Sequence, residues 1–333
     1  MNRCTISILQ LENTGSTHDY HNQTKTLWAN VLEKSCEVRW IPYRLPKFGN
    51  WFNPDLIPLL TKIDGLILLN DLDYAILLKT YIDSDWRTKS IILEILRRKN
   101  HVAYCCEVIA NSDLQTVGNP LKDKAFALAY FGNARFLAIC NTRNATFLKA
   151  AGVSENVRLL PTYGYSPING IVPLDESPYK PIDVLIYGNL HASFTYRTEL
   201  INTVVRHCMD RGWTYVVTMF LDQDKIKVLR HSKVVVHCPS HDCETFPWAK
   251  AAELMARKVF FLIEMNDEVR SLGLEKTVAT YARNDSDGLR RALDLYVPSH
   301  RLRAESRERC FEFIRQMYNM DEFIPKLIES LSR

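Results

Sequence analysis

The chain has 333 residues, long for one compact domain and well suited to two. With 47% hydrophobic and 24% charged residues, and no run near the roughly 18 uninterrupted apolar residues of a membrane helix, it reads as a globular protein without a membrane span. The net charge of +4 lies wholly in residues 1 to 166, which hold 19 Lys+Arg against 15 Asp+Glu; the remainder holds 23 of each. That bias falls far short of the basic stripe of a dedicated nucleic-acid binder, so nucleic acid is a secondary expectation as a partner. The opening MNRCTISILQLENTG has too short an apolar run for a secretory signal, and a cytoplasmic location is expected. Nine cysteines scattered through apolar runs suit reduced, buried thiols, and the adjacent pair Cys105 and Cys106 lacks the spacing of a zinc or redox motif. No metal site is expected.

In chain order, short apolar runs alternate with longer amphipathic stretches. The first half gives CTISILQL (4 to 11), EVRWIPY (37 to 43), DGLILLN (64 to 70), HVAYCCE (101 to 107), ARFLAIC (134 to 140) and VRLLP (157 to 161) as strands. Between them QTKTLWANVLEK, WRTKSIILEILRRK and NATFLKAAG carry helical periodicity. The proline-rich TYGYSPINGIVPLDESPYKP then reads as a break in regular structure. A second series follows: IDVLIYG (182 to 188), TYVVTMF (214 to 220), SKVVVHC (232 to 238), KVFFLIE (258 to 264) and the weaker TVATYA (277 to 282). Residues 301 to 331 close the chain as one long and one short helix. Near-continuous apolar strands separated by helices predict two Rossmann-like, doubly wound parallel sheets. The expected division is 1–166, a linker at 167–181, and 182–333, with the terminal helices able to cross back to the first domain.

Ligands of such sheets sit outside the carboxyl ends of the strands. After the first strand, ENTGSTHDYHNQT offers His18 or Asp19 as a general base, since imidazole titrates near neutral pH and a carboxylate can orient it; the same residues also suit a polar loop with a capping aspartate. His18 and His21 would share a helix face, with no further metal ligand in view. Asp71 and Glu107 end two more strands, as acceptor contacts or as caps. In the second half Gly188 and Asn189 form a turn whose amides, with Arg197, suit a diphosphate. The loop PSHDCETFP, holding Ser240, Glu244, Phe246 and Pro247, then leads into the helix WAKAAELMA. Pro247 fits the first turn of that helix, and Glu253 lies deep among alanines and leucine, where a carboxylate is costly unless it has partners.

This pattern resembles the GT-B class of glycosyltransferases, nucleotide-sugar enzymes of two Rossmann-like domains with the active site between them. ETFPWAKAAELMARKVFFLIE looks like the donor-binding signature of that class, and NVRLLPTYGYSP is similar to the end of its N-terminal domain. The resemblance implies that Glu253 takes the donor ribose hydroxyls, that Glu244 and Phe246 to Trp248 line the sugar and phosphate side, and that Gly188 and Arg197 match the diphosphate loop. Three departures stand out: Glu244 and Glu253 are nine apart instead of eight, Lys258 stands where glycine is usual, and Phe260 where proline is usual.

The function this implies is metal-independent transfer of a sugar from a UDP- or GDP-sugar to a hydroxyl of a glycan or other acceptor, without a separate cofactor. Arg197 or Lys250 would offset the leaving-group charge, and Asp19 or His18 would be the base if the reaction inverts. DVLIYG and AELMA are also similar to stretches of phage DNA glucosyltransferases, which makes a DNA-base glucosyltransferase one alternative. A non-catalytic nucleotide-binding or sugar-binding module and a nucleotide-sugar epimerase are the others.

Overall fold

Every apolar run noted above forms a strand, because Val, Ile and Leu runs flanked by helices can bury both faces of a parallel sheet. The computed structural model describes residues 5–12, 19–44, 52–63, 65–98, 101–105, 124–139, 142–150, 152–153, 157–159, 163–175, 177–188, 195–219, 224–239 and 245–332. The chain divides into two compact units, residues 1–163 with 320–333, and residues 164–319.

The first unit holds β1 (Thr5–Leu11), β2 (Glu37–Tyr43), β3 (Leu66–Leu69), β4 (His101–Cys105), β5 (Phe136–Ile139) and β6 (Val157–Leu159). They form one parallel sheet in the order β2-β1-β3-β4-β5-β6. Its helices are α1 (Asp19–Leu32), α2 (Leu56–Thr61), α3 (Asp71–Asp83), α4 (Trp86–Arg97), α5 (Lys124–Gly132) and α6 (Thr142–Ala150). Asn70 caps α3 in a capping box, its Oδ1 accepting from the amides of Leu72 and Asp73 while Asp73 Oδ2 accepts from the Asn70 amide. Tyr74, Phe126, Tyr130 and Phe131 form an aromatic cluster in the core, with ring centroids 4.8 to 5.6 Å from Tyr74.

The second unit holds β7 (Ile182–Tyr187), β8 (Tyr215–Thr218), β9 (Ser232–Val236), β10 (Phe261–Glu264) and β11 (Ala279–Tyr281). This sheet is also parallel, in the order β11-β10-β9-β7-β8. Its helices are α7 (Thr195–Arg211), α8 (Lys225–Arg230), α9 (Trp248–Ala256), α10 (Asp267–Ser271), α11 (Ser286–Tyr296) and α12 (His300–Met317). Val184, Ile186, Val204, Val234, Val236, Leu262, Leu289 and Leu293 are its innermost side chains. Among the described residues no helix is long and apolar enough to cross a membrane.

The two terminal helices part company. α12 packs on α9, whereas α13 (Met320–Ser332) packs on α1 and belongs to the first unit, burying Ile324 and Ile328. The stretch expected to link two domains, 167–181, falls in the second unit. Proline stops regular structure there without stopping the backbone from docking: Ser166 and Ile171 exchange amide bonds of 3.1 and 2.9 Å, and the Leu174 amide donates to Arg257 O at 3.0 Å.

Candidate nucleotide-sugar corner

The second sheet reverses its strand order at β7, which has β8 on one side and β9 on the other. In an open parallel sheet the crevice at such a reversal, past the carboxyl ends of the two strands, is where ligands sit. Gly188 follows β7 there with φ of +135°, a backbone that side-chain-bearing residues rarely adopt, and a Cβ on it would lie 3.4 Å from Lys250 Nζ. Gly188→Ala is therefore expected to lower stability by about 1 to 3 kcal/mol, read as a shift of the urea midpoint at constant slope.

Lys250 reaches this turn from the first turn of α9. Its ammonium donates to Tyr187 O and lies 3.9 Å from the centroid of the Tyr187 ring. Arg197, in the first turn of α7, donates from Nε to Cys238 O at 2.8 Å, just past β9. Burial, reinforced by the charge of Arg197, pushes the Lys250 ammonium down to about 7. Burial and then the two cations hold the His237 imidazole well below its usual range, so it is neutral, and its buried Nδ1 has no partner among the described residues. Burial pushes the Cys238 thiol up to about 12.

Glu253, about one helical turn beyond Lys250, is 7% exposed. The partners its burial requires are Lys225, whose Nζ is 2.5 Å from Oε2, and Arg257, whose Nε is 3.1 Å from Oε1. Each carboxylate oxygen has two acceptor sites, so both retain capacity for a further donor.

The start of α9 is pinned from α10 and its capping residue. The Phe246 amide donates to buried Glu268 at 2.6 Å, and Asn266 Nδ2 donates to Thr245 O at 3.1 Å. The rings expected to line a sugar site are turned inward: Phe246 and Trp248 are 3% and 2% exposed, packed edge to face at 4.7 Å, with Trp248 also against Tyr318. Pro247 stands at the cap position, one residue ahead of the expected first turn, and among the described residues no side chain caps the helix. What this turn offers a ligand is therefore backbone.

No family model and no curated sequence matches the chain. Solved structures do. Sucrose-phosphate synthase from Thermosynechococcus elongatus superposes with a TM-score of 0.64 at 12% identity, covering 98% of both chains. HepE from Anabaena, solved with UDP-glucose, gives 0.61 at 12% identity over 98% of this chain and 99% of its own. TarM from S. aureus, in a mutant complex containing UDP, gives 0.56 at 12% identity over 83% of this chain; the match spans only 57% of TarM.

The chain has the GT-B fold.

Within this GT-B second unit the structure brings Gly188, Arg197, Lys250 and Glu253 to one corner. Asn189, Ser240 and Glu244, like His18 and Glu107 of the first unit, lie outside the described residues. Asp19 and Asp71 open α1 and α3, and their side chains also lie outside that description. The residues not anticipated are Lys225, Arg257 and His237. Arg257 was within reach of a sequence reading, because Glu253 and Arg257 are four apart on one helix. Lys225, 28 residues before its partner, carries no local signal.

Proposed function

We propose that the chain is a glycosyltransferase that moves a sugar from a UDP-sugar to a hydroxyl acceptor. The reading rests on one observation: two cations gather at the sheet's reversal, Lys250 at the glycine turn after β7 and Arg197 just past the neighbouring β9, with buried Glu253 beside Lys250. The turn and cations take the diphosphate, and Glu253 accepts from the ribose hydroxyls on the capacity its ion pairs leave. As the sugar bond breaks, negative charge grows on the leaving diphosphate, and fixed cations stabilise that charge at no reorganisation cost. Arg197 and Lys250 thus do without a metal what a divalent ion does elsewhere. UDP in the TarM structure and UDP-glucose in that of HepE support the choice of nucleotide. Asp71 and Glu107 as acceptor contacts, and Asp19 or His18 as base in an inverting reaction, belong to the same proposal, as does a cytoplasmic location.

A thermal-shift panel of nucleoside diphosphates tests it. UDP at a hundredfold excess over its Kd is expected to raise Tm by about 5 °C or more, and GDP by less. Glu253→Ala is expected to shrink the UDP shift and to lower the ligand-free stability by about 2 kcal/mol, because Lys225 and Arg257 lose their anion. If no nucleoside diphosphate moves Tm, the reading fails. Binding without transfer to any hydroxyl, and without slow donor hydrolysis, would leave a nucleotide-binding module; isomerised donor in the absence of acceptor would make it an epimerase.

A further inference from the structure

In the first unit, α4 turns an unexpected face to solvent. Its sequence, WRTKSIILEILR, buries Ile92, Ile95 and Leu96. The opposite face of a helix that only covers a sheet is ordinarily polar. Here Trp86 opens that face 72% exposed and Ile91 stands on it at 42%, while Ile82, four residues ahead of Trp86 at the end of α3, is 43% exposed. Single apolar side chains on a surface need no explanation; a bare tryptophan with two isoleucines near it in the chain does.

The charges among them are mainly basic. Arg87 lies over the Trp86 ring, 5.4 Å from its centroid, and stands one turn before Ile91, so it bridges the two apolar side chains. Arg97 and Arg98 return to the same exposed face about three turns after Trp86 and Arg87. Lys89 sits 5.5 Å from the centroid of the Tyr81 ring. The acids close by are Asp83, which pairs with Lys79 at 2.9 Å, Asp85, which caps α4 by accepting from the Thr88 amide at 2.8 Å, and Glu94, 3.9 Å from Arg98. Residues 79 to 98 thus hold five cations and three acids, and among the described residues Arg87, Lys89 and Arg97 have no carboxylate partner. Arg98 also donates to Thr61 O at 3.4 Å, at the end of the helix that leads into β3, which sets the last turn of α4 at the amino-terminal edge of the sheet.

We propose that α4 docks the first unit on an anionic membrane surface. A tryptophan ring belongs at headgroup level, isoleucine side chains reach the acyl boundary, and guanidinium groups meet lipid phosphates. The 12 residues of α4 make a rod about 18 Å long that lies in the plane of the surface, and no described helix is long and apolar enough to cross it. Two other occupants suit this face less. Duplex DNA takes cations along its backbone and leaves Trp86, Ile82 and Ile91 nothing apolar to bury against. A second copy across a twofold axis would set the arginines of this face against their own counterparts.

The test is flotation of the full chain with vesicles of phosphatidylcholine, pure or mixed with phosphatidylserine. Binding is expected to the mixed vesicles alone and to fall at high salt. It weakens about tenfold in Trp86→Ala and about 30-fold in the double variant Arg87→Gln with Arg97→Gln. Arg206→Glu, at an exposed position of α7 in the second unit, changes the net charge as much as the double variant does and is expected to keep binding within about twofold. All these positions are exposed, so each Tm is expected within about 2 °C of the wild type, which separates lost docking from lost folding. Equal binding to pure phosphatidylcholine, absence of vesicle binding, or a loss in Arg206→Glu as large as in the double variant would overturn the proposal. Self-association in sedimentation velocity, or salt-dependent binding of duplex DNA, that the α4 variants abolish while vesicles go unbound would give this face to another partner and overturn it equally. The outcome does not depend on whether UDP binds.

Discussion

Lys250→Met is expected to lower kcat/KM for a UDP-sugar donor by about 100- to 1,000-fold while leaving Tm at pH 7 unchanged or raised. The loss follows from electrostatics: a preorganised donor aimed at developing negative charge is worth about that factor. The second half of the statement follows from linkage. Lys250 has its folded pKa pushed from 10.5 down to about 7, so between those values the unfolded chain holds more protons than the folded one. The group therefore costs stability in full below pH 7, and the cost fades as pH rises toward 10.5; methionine removes it at the expense of the contacts with Tyr187. A diphosphate beside the ammonium reverses the sign, because an adjacent anion favours the charged form. UDP binding at pH 7 is thus expected to take up a fraction of a proton, measured by titration calorimetry in two buffers of different ionisation enthalpy. Wild-type kcat/KM should fall as pH rises above about 7. Proton uptake that persists in Lys250→Met would assign it to another group, and undiminished turnover in that variant would remove Lys250 from the chemistry.

How far the sequence alone reached can be judged from particular elements. The strands were legible because Val, Ile and Leu runs such as VLIY in β7 and KVVV in β9 have no other way to bury both faces. Their order, and so the reversal at β7 that locates the corner, depends on crossovers that no local pattern encodes. Glu253 was legible as a carboxylate among apolar residues that would need partners if buried; helical spacing left a solvent-facing side chain equally open, and its burial beside Ala251, Ala252, Leu254 and Met255 is what the structure adds. The inward turn of Phe246 and Trp248 was not, because what hooks that segment is Glu268, 22 residues on. Aromatic residues in a turn serve core and ligand alike until such a hook is known. Lys25 is a signal that was present and passed over: it stands three residues before Trp28 and seven before Leu32, on the apolar face of α1.

The consequence of that placement is the largest expected change in stability. Lys25 and Asp73 form an ion pair of 2.8 Å in the first unit, both side chains with no exposure to solvent. Lys25 Nζ also donates to Leu9 O at 2.6 Å, while Asp73 accepts from the Tyr43 hydroxyl at 3.3 Å and from the Asn70 amide at 2.9 Å. Burial lowers the pKa of Lys25 and raises that of Tyr43, as desolvation requires. The pair ties α1 and α3 to β1 beside that sheet's own reversal between β1 and β3, so it fixes the two helices that Asp19 and Asp71 open. Lys25→Met leaves the Asp73 carboxylate buried without a cation and is expected to cost about 3 to 5 kcal/mol, read as a fall in the urea midpoint. In the double variant Lys25→Met with Asp73→Asn the amide keeps an acceptor for the Asn70 amide and carries no charge. It should therefore recover a large part of the loss, for it is the stranded charge, more than the missing bond, that destabilises. A double variant no more stable than Lys25→Met alone would show that the damage is a packing defect in α1 and that the charge is screened.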